Sequence, residues 1–201
     1  MNFELITQNL KERGYVVTCF STKEEAADYL NAQLNQTTIG FGGSVTLEEL
    51  ELYEKLSTHN QVFSHHRIPE GSTPDAVRKE ADKAEVYFSS VNGIAETGEI
   101  VNIDGRCNRV ASICYGHQKV FFVIGKNKIA PNYEGALWRA RNIAGPLNAK
   151  RLGRKTPCAV KADKCYDCKS PDRICRNLSV LWEVPMGLEI EVILIDENLG
   201  Y

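Results

Sequence analysis

Apolar residues recur along this chain in two rhythms, one of about 3.6 residues and one of two, and the switches between them divide it into elements. Phe3, Ile6 and Leu10 stand at helical spacing, and YVVTCF (15–20) then reads as a strand. Ser21 followed by Glu24 has the form of a capping box and predicts a helix through Ala26, Ala27, Leu30 and Leu34. TTIGF is a short strand running into Gly42, Gly43 and Ser44. Thr46 with Glu49 then repeats the capping-box spacing ahead of a helix over LEELELYEKL. The acidic run inside that helix reads as a solvated face.

The same alternation continues. QVFSHH predicts a strand ending at His65 and His66, PDAVRKEADKA a helix with Pro74 in its first turn, and VYFSSV another strand. EIVNID is a short strand and KVFFVIG a fully buried one. NYEGALWRARNIA is a helix in which Leu137, Trp138 and Ile143 form a stripe directed at the core. LEIEVILID alternates and closes the chain as a last strand. Strands separated by helices predict an α/β sheet, mostly parallel in its first half, with no internal repeat and no low-complexity linker. The expectation is one α/β domain over residues 1–201, with residues 156–177 as a cysteine-rich segment inside it.

Composition narrows this picture. A chain of 201 residues can bury a substantial core, and 43% hydrophobic with 25% charged residues excludes a disordered, collagenous or coiled-coil chain. A net charge of −2 gives no global attraction to nucleic acid or to an anionic membrane. The opening MNFELITQNLKERG lacks a long apolar stretch, and no run approaches the roughly 20 apolar residues of a membrane span. The chain is therefore expected in the cytoplasm, where its seven cysteines, an odd count, would be reduced and either free or metal-bound.

One segment breaks the pattern. Between Lys150 and Arg176 there are nine Lys or Arg and three Asp, with little apolar periodicity, so this stretch cannot build a core of its own. Within it lies CAVKADKCYDCKSPDRIC, placing Cys158, Cys165, Cys168 and Cys175 at C-x6-C-x2-C-x6-C. Four thiolates suit an all-cysteine zinc site or a [4Fe-4S] cluster, and nearby cations would lower their pKa values. A disulfide pair or chance spacing are the duller alternatives. The spacing matches neither the paired C-x2-C knuckles of zinc ribbons nor the bacterial ferredoxin run, so it does not choose between zinc and iron-sulfur.

Three further stretches carry candidate chemistry. In IGFGGSVTLEEL a strand runs into Gly42, Gly43 and Ser44 and then a capped helix, an arrangement that aims N–H groups at a phosphate or carboxylate, or simply makes a tight turn. NGIAETGEIVNIDGRCNRV places Glu96, Thr97 and Gly98 on a loop, with Asp104, Asn108 and Arg109 following. A carboxylate beside a hydroxyl there suits a base or a nucleophile, or organises a turn. His65, His66 and His117 are more often structural than catalytic in such settings, and Cys107 and Cys114 read as core or cleft thiols.

GGSVTLEE, AETGEIVN, NRVASICYGHQKVFFVIGKNKI and CAVKADKCYDCKSPDRICRN, in that order, resemble the LUD-domain, or lactate-utilisation, family over nearly the whole chain. The cysteine segment looks like that of the family's short single-domain branch. The resemblance implies a Rossmann-like sheet of the type found in ribose-5-phosphate isomerase, glucosamine-6-phosphate deaminase and CoA transferases. It implies a link to oxidation of L-lactate to pyruvate beside iron-sulfur redox partner proteins, and it favours a [4Fe-4S] cluster over zinc. It also matches Gly42, Gly43 and Ser44 to the family's glycine-rich loop, and Glu96, Thr97 and Gly98 to its acidic-Thr-Gly block.

The expected function is a cytoplasmic metalloprotein that binds a small organic acid or phosphorylated metabolite. Gly42, Gly43, Ser44, Gly98, Asn108 and Arg109 would hold the ligand, with Glu96 and Thr97 facing the same crevice, and Cys158, Cys165, Cys168 and Cys175 would hold the metal. The competing expectation is an isomerase, hydrolase or acyl-transfer enzyme that uses Glu96 and keeps a structural zinc. A nucleic-acid-binding module built on the basic segment is disfavoured, because no aromatic stacking set accompanies its cations.

Overall fold

A computed structural model describes residues 2–201. Its centre is a six-stranded, wholly parallel sheet of β1 (Val16–Phe20), β2 (Thr38–Phe41), β3 (Gln61–Ser64), β4 (Val86–Ser89), β7 (Lys119–Gly125) and β10 (Glu189–Ile195), in the order β1-β10-β7-β4-β2-β3. A second sheet, ordered β8-β5-β6-β9, joins β5 (Gly93–Ala95), β6 (Ile100–Asp104), β8 (Ile129–Ala130) and β9 (Asn177–Leu181).

Parallel strands covered on both faces read as continuous apolar runs, and here alternate residues serve opposite faces. Phe41, Phe88, Phe121, Val123, Ile193 and Ile195 pack under α2 (Lys23–Gln33), α3 (Val45–Glu49) and α4 (Leu52–Leu56). Val120, Phe122, Ile124, Val192 and Leu194 pack under α1 (Glu4–Glu12) and the near face of the second sheet, through Ile94 and Ile100. The far face of that sheet, through Ala95 and Val101, meets Ala136 and Ala140 at the helix α7 (Tyr133–Arg139) and the π-turn 140–144 that continues it.

Several local expectations shift, each for a physical reason. The first capping box is made by Thr22 and Glu25, not Ser21 and Glu24. The second does not form: Ser44 caps α3 by accepting from the Leu47 amide, and Thr46 lies inside the helix, buried. LEELELYEKL is two short helices with Glu51 in the left-handed region at φ 52°. At about 100° per residue, one continuous helix would turn Leu47 and Leu50 away from Leu52 and Leu56, and the break lets all four reach the core. Trp138 points outward, 59% exposed. A Cβ on Gly93 would lie 2.5 Å from the Ala136 carbonyl oxygen, so α7 sits too close to the second sheet for anything larger than alanine on its inner face.

The last strand is β10. Although its sequence alternates, it is an interior strand buried from Ile190 onward. Glu191, 2% exposed, is accommodated by Lys119 Nζ at 2.8 Å and by the Tyr29 and Thr18 hydroxyls at 2.8 and 2.9 Å. Burial alone would raise its pKa. Those partners outweigh burial and hold the carboxyl below the ordinary value of 4.5.

Candidate functional site

From β2 the chain steps outward to β3 and then returns across β2 to β4, β7 and β10, so the strand order reverses between β2 and β4. In open parallel sheets the crevice beyond the strand ends at such a reversal is where ligands sit. A cleft of about 330 Å³ opens there, lined by residues that follow β2 (Gly43, Ser44, Thr46), β3 (His65, His66), β4 (Ser90), β7 (Lys128) and β10 (Gly200, Tyr201).

Its walls are cationic. Arg78, Arg106, Arg109, Lys128, Arg151 and Arg154 line it, against a single carboxylate, Asp104. That carboxylate is occupied by backbone: it accepts from the Gly105, Arg106, Cys107 and Val110 amides, which fixes the start of α6 (Asn108–Cys114). Arg78 and Arg106 share Asp75, at 2.6 and 3.4 Å, while Arg151 donates to Asn148 and to the Tyr201 hydroxyl. Arg109 runs beneath Gly42 and donates to Asn102, Asn92 and the Ser90 and Ile103 carbonyls, with Asp104 at 3.8 Å from its Nε. Burial lowers its pKa from the ordinary value.

His65 and His66 bring both Nε2 atoms against Gly43, where a Cβ would approach them to 3.2 and 3.1 Å. Burial, reinforced by its neighbour His66 and by Arg78, pushes His65 down to about 4, and burial lowers His66 as well. Both imidazoles are therefore neutral at pH 7 and add hydrogen-bonding capacity without charge. Lys128, 3% exposed, donates to Thr46 and Ser90 at 2.8 Å each. Behind it Arg139, 6% exposed, donates at 2.7 Å to the carbonyls of Asn127 and Asn92 and so clamps the turn that presents Lys128. The π-turn begins one residue later; such turns are frequent at functional sites.

Of the residues expected to hold a ligand, Gly43, Ser44, Asn108 and Arg109 line the cleft, and Gly42 packs over Arg109. The Ser44 hydroxyl is spent on its helix cap, and α3 has only five residues, so side-chain cations rather than a helix end supply the positive field.

Glu96, Thr97 and Gly98 do not share this crevice. They form the hairpin turn between β5 and β6, where Arg13 donates to the Thr97 carbonyl and pairs with Glu99, and Asn9 donates to the Glu96 carbonyl. Arg13 caps the C-terminus of α1 three residues before β1, so this turn lies at the opposite, N-terminal edge of the parallel sheet. Gly98 is required there by its φ of +101° and by the Arg13 side chain pressed against it. Sequence spacing cannot reveal which end of a strand a loop joins. His117 is structural: its Nδ1 donates to the Ala84 carbonyl at 2.6 Å and its ring stacks on Tyr87.

All seven cysteines are free thiols. Cys158 opens the helix α9 (Pro157–Lys161) beside Thr156, Cys165 is tied to Asn142 and Arg141, and Cys168 and Cys175 gather around Arg173. Among the described residues no three Cys, His, Asp or Glu side chains could together hold a metal ion, so the four thiols as placed do not form the donor set of a [4Fe-4S] cluster or a zinc site.

The fold and cleft define an α/β protein with a cationic pocket at the reversal point of a parallel sheet. The LUD domain model matches residues 3–195, and the chain belongs to the LUD-domain family. A DUF162 family protein from Deinococcus radiodurans, solved by crystallography, aligns over 97% of this chain and 99% of its own at a TM-score of 0.52 and 14% identity, a likeness of fold. Ribose 5-phosphate isomerase from Plasmodium falciparum aligns over 54% of this chain and 52% of its own, at a TM-score of 0.35 and 16% identity, too slight a likeness to argue from. None of the curated proteins compared matches the chain by sequence. Among the described residues, no helix is long and apolar enough to cross a membrane.

Proposed function

We propose that the cleft binds a small, multiply anionic metabolite, and that a phosphorylated compound suits it better than a lactate-sized acid. The observation that carries this reading is the imbalance of charge: five guanidinium groups line the cleft, two of them shared with Asp75, against one lining carboxylate whose oxygens are engaged by backbone amides. Guanidinium groups suit phosphate because their planar forks offer paired donors. A monocarboxylate would fill a fraction of the 330 Å³ and meet few of those donors. The family's link to lactate utilisation concerns small acids, and the cleft extends that chemistry toward higher charge.

Titration calorimetry with inorganic pyrophosphate, glycolaldehyde phosphate and L-lactate tests the reading. The two phosphorylated ligands should bind at least about tenfold tighter than lactate, and Arg151→Ala should weaken them by about the same factor, as loss of one charged hydrogen bond implies. Equal or tighter binding of lactate overturns it.

A second reading concerns the cysteine segment. The Asp167 amide donates to Cys165 Sγ at 3.3 Å, and the Arg173 guanidinium to Cys175 Sγ at 3.4 Å, so both sulfurs already serve as acceptors. We infer that the segment rearranges to close around a [4Fe-4S] cluster or zinc when metal is supplied. Protein prepared without exposure to air should then carry one cluster or one zinc per chain, lost in Cys165→Ser. Protein free of both iron and zinc under those conditions rules this out.

A further inference from the structure

Lys128 combines deep burial with hydrogen-bond partners that do not match an ammonium ion. Its Nζ donates to the hydroxyls of Thr46 and Ser90, both at 2.8 Å, and to no carboxylate among the described residues. The direction of these bonds is fixed by their surroundings. Thr46 donates its own proton to the Leu199 carbonyl at 3.3 Å, and Ser90 donates to the Val123 carbonyl at 2.6 Å, so both oxygens can only accept from the lysine.

A neutral amine has two N–H donors and one lone pair. Both donors are thus used, and among the described residues no group claims the lone pair of this lysine, which lines the cleft. An ammonium in the same place would bring a third N–H with no partner among the described residues, a costly arrangement in a side chain 3% exposed.

We propose that Lys128 is a nucleophile that forms an imine with the carbonyl group of a phosphorylated aldehyde or ketone held in the cleft. The phosphate part of this statement rests on the anion-binding reading above; the nucleophile does not. The Nζ lone pair adds to the carbonyl carbon, the two amine protons pass to the former carbonyl oxygen, which leaves as water, and a C=N bond replaces C=O with no change of oxidation state. The protonated imine withdraws electrons from the adjacent carbon and so eases loss of a proton or breaking of a carbon-carbon bond there.

The charged groups around the amine act in the required direction. Burial first, then Arg139 behind the turn and Arg109 from α6, outweigh Glu49 from α3 and push Lys128 down to about 7. The other titratable groups lining the cleft include His65 and His66, both neutral at pH 7, together with Asp104 and the Tyr201 phenol. At pH 7 such a lysine is about half unprotonated, whereas an ordinary one is so in about one molecule in 2,500.

Glycolaldehyde phosphate with sodium borohydride supplies the test, because borohydride delivers hydride to the imine carbon and fixes the adduct as a secondary amine. Peptide mapping of the unsubstituted protein should place the adduct on Lys128, formed at pH 7 at least about tenfold faster than on any other lysine. Its rate should rise with pH about a midpoint near 7, and inorganic phosphate should slow it. Lys128→Gln should lose the adduct while melting cooperatively; the mapping on the unsubstituted protein decides the matter even if that variant fails to fold. Unphosphorylated glycolaldehyde separates the two ideas. Equal labelling of Lys128 by both aldehydes keeps the nucleophile and overturns the phosphate reading. Labelling spread over surface lysines, with calorimetric phosphate binding intact, overturns the nucleophile.

Discussion

The cleft and the cysteine segment carry similar positive charge but are held by different means. Much of the cleft is presented by the ends of buried strands, Gly43 and Ser44 after β2, Ser90 after β4 and Lys128 after β7, with Arg109 on α6 just beyond β6, so these groups inherit their positions from the core. Residues 162–176 contain no helix or strand and are fixed by side-chain bonds from Arg141, Asn142 and Arg173. Charge on a rigid scaffold makes a preorganised anion site. The same charge on a loop makes a surface that needs a further partner to acquire one shape.

This comparison can be broken at its strongest point first. Phe122→Ala removes a fully buried ring from β7 and should cost about 3–5 kcal/mol in urea unfolding. Gly93→Ala forces α7 away from the second sheet, because its Cβ would meet the Ala136 carbonyl oxygen at 2.5 Å; it should cost about 1–3 kcal/mol and weaken phosphate binding by displacing Arg139.

Glu191→Gln comes next, at about 1–3 kcal/mol, and its signature is pH dependence. The folded pKa of Glu191 is depressed, so its stabilisation is complete above the ordinary value of 4.5 and is lost as pH falls through the lower folded value. Unfolding midpoints measured from pH 6 down to pH 3 should therefore converge for the two proteins.

In the cysteine segment, Arg173→Ala frees the carbonyls of Cys168 and Cys175; it should speed proteolysis between 162 and 176 with a stability change below about 1 kcal/mol. Cys165→Ser in metal-free protein should change stability by less than about 0.5 kcal/mol. A core-sized effect from either would show that the segment is integral to the fold and would end the contrast.

The strands were legible where burial is two-sided, as in KVFFVIG, because an unbroken apolar run has few other uses. The glycine loop was legible as a turn between a strand and a capped helix because strand, glycines and capping residue follow in order. Lys128 and Arg139 were not recognised, since KNK and WRAR read as surface charge and burial of a cation leaves no periodic trace. Their one available signal was position: Lys128 follows directly on the C-terminal end of the most apolar strand, where α/β sheets place their sites. Glu96 misled for the complementary reason, because a carboxylate beside a threonine has the same sequence at either edge of a sheet. The second sheet was hidden because β5 and β8 have three and two residues and match no periodic template.

The strand order also sets a sequence of assembly. β10 lies between β1 and β7, so β1 has no partner in the main sheet until residues 189–195 have been synthesised. The segment that seals the cleft follows still later: the Leu199 amide donates to Asn127, the Gly200 amide to Glu49, and the Tyr201 hydroxyl meets Arg151. Pairing across so long a span of chain is slow compared with local contacts. A nascent chain therefore carries the cleft's arginines before the residues that close over them, 199–201, are available.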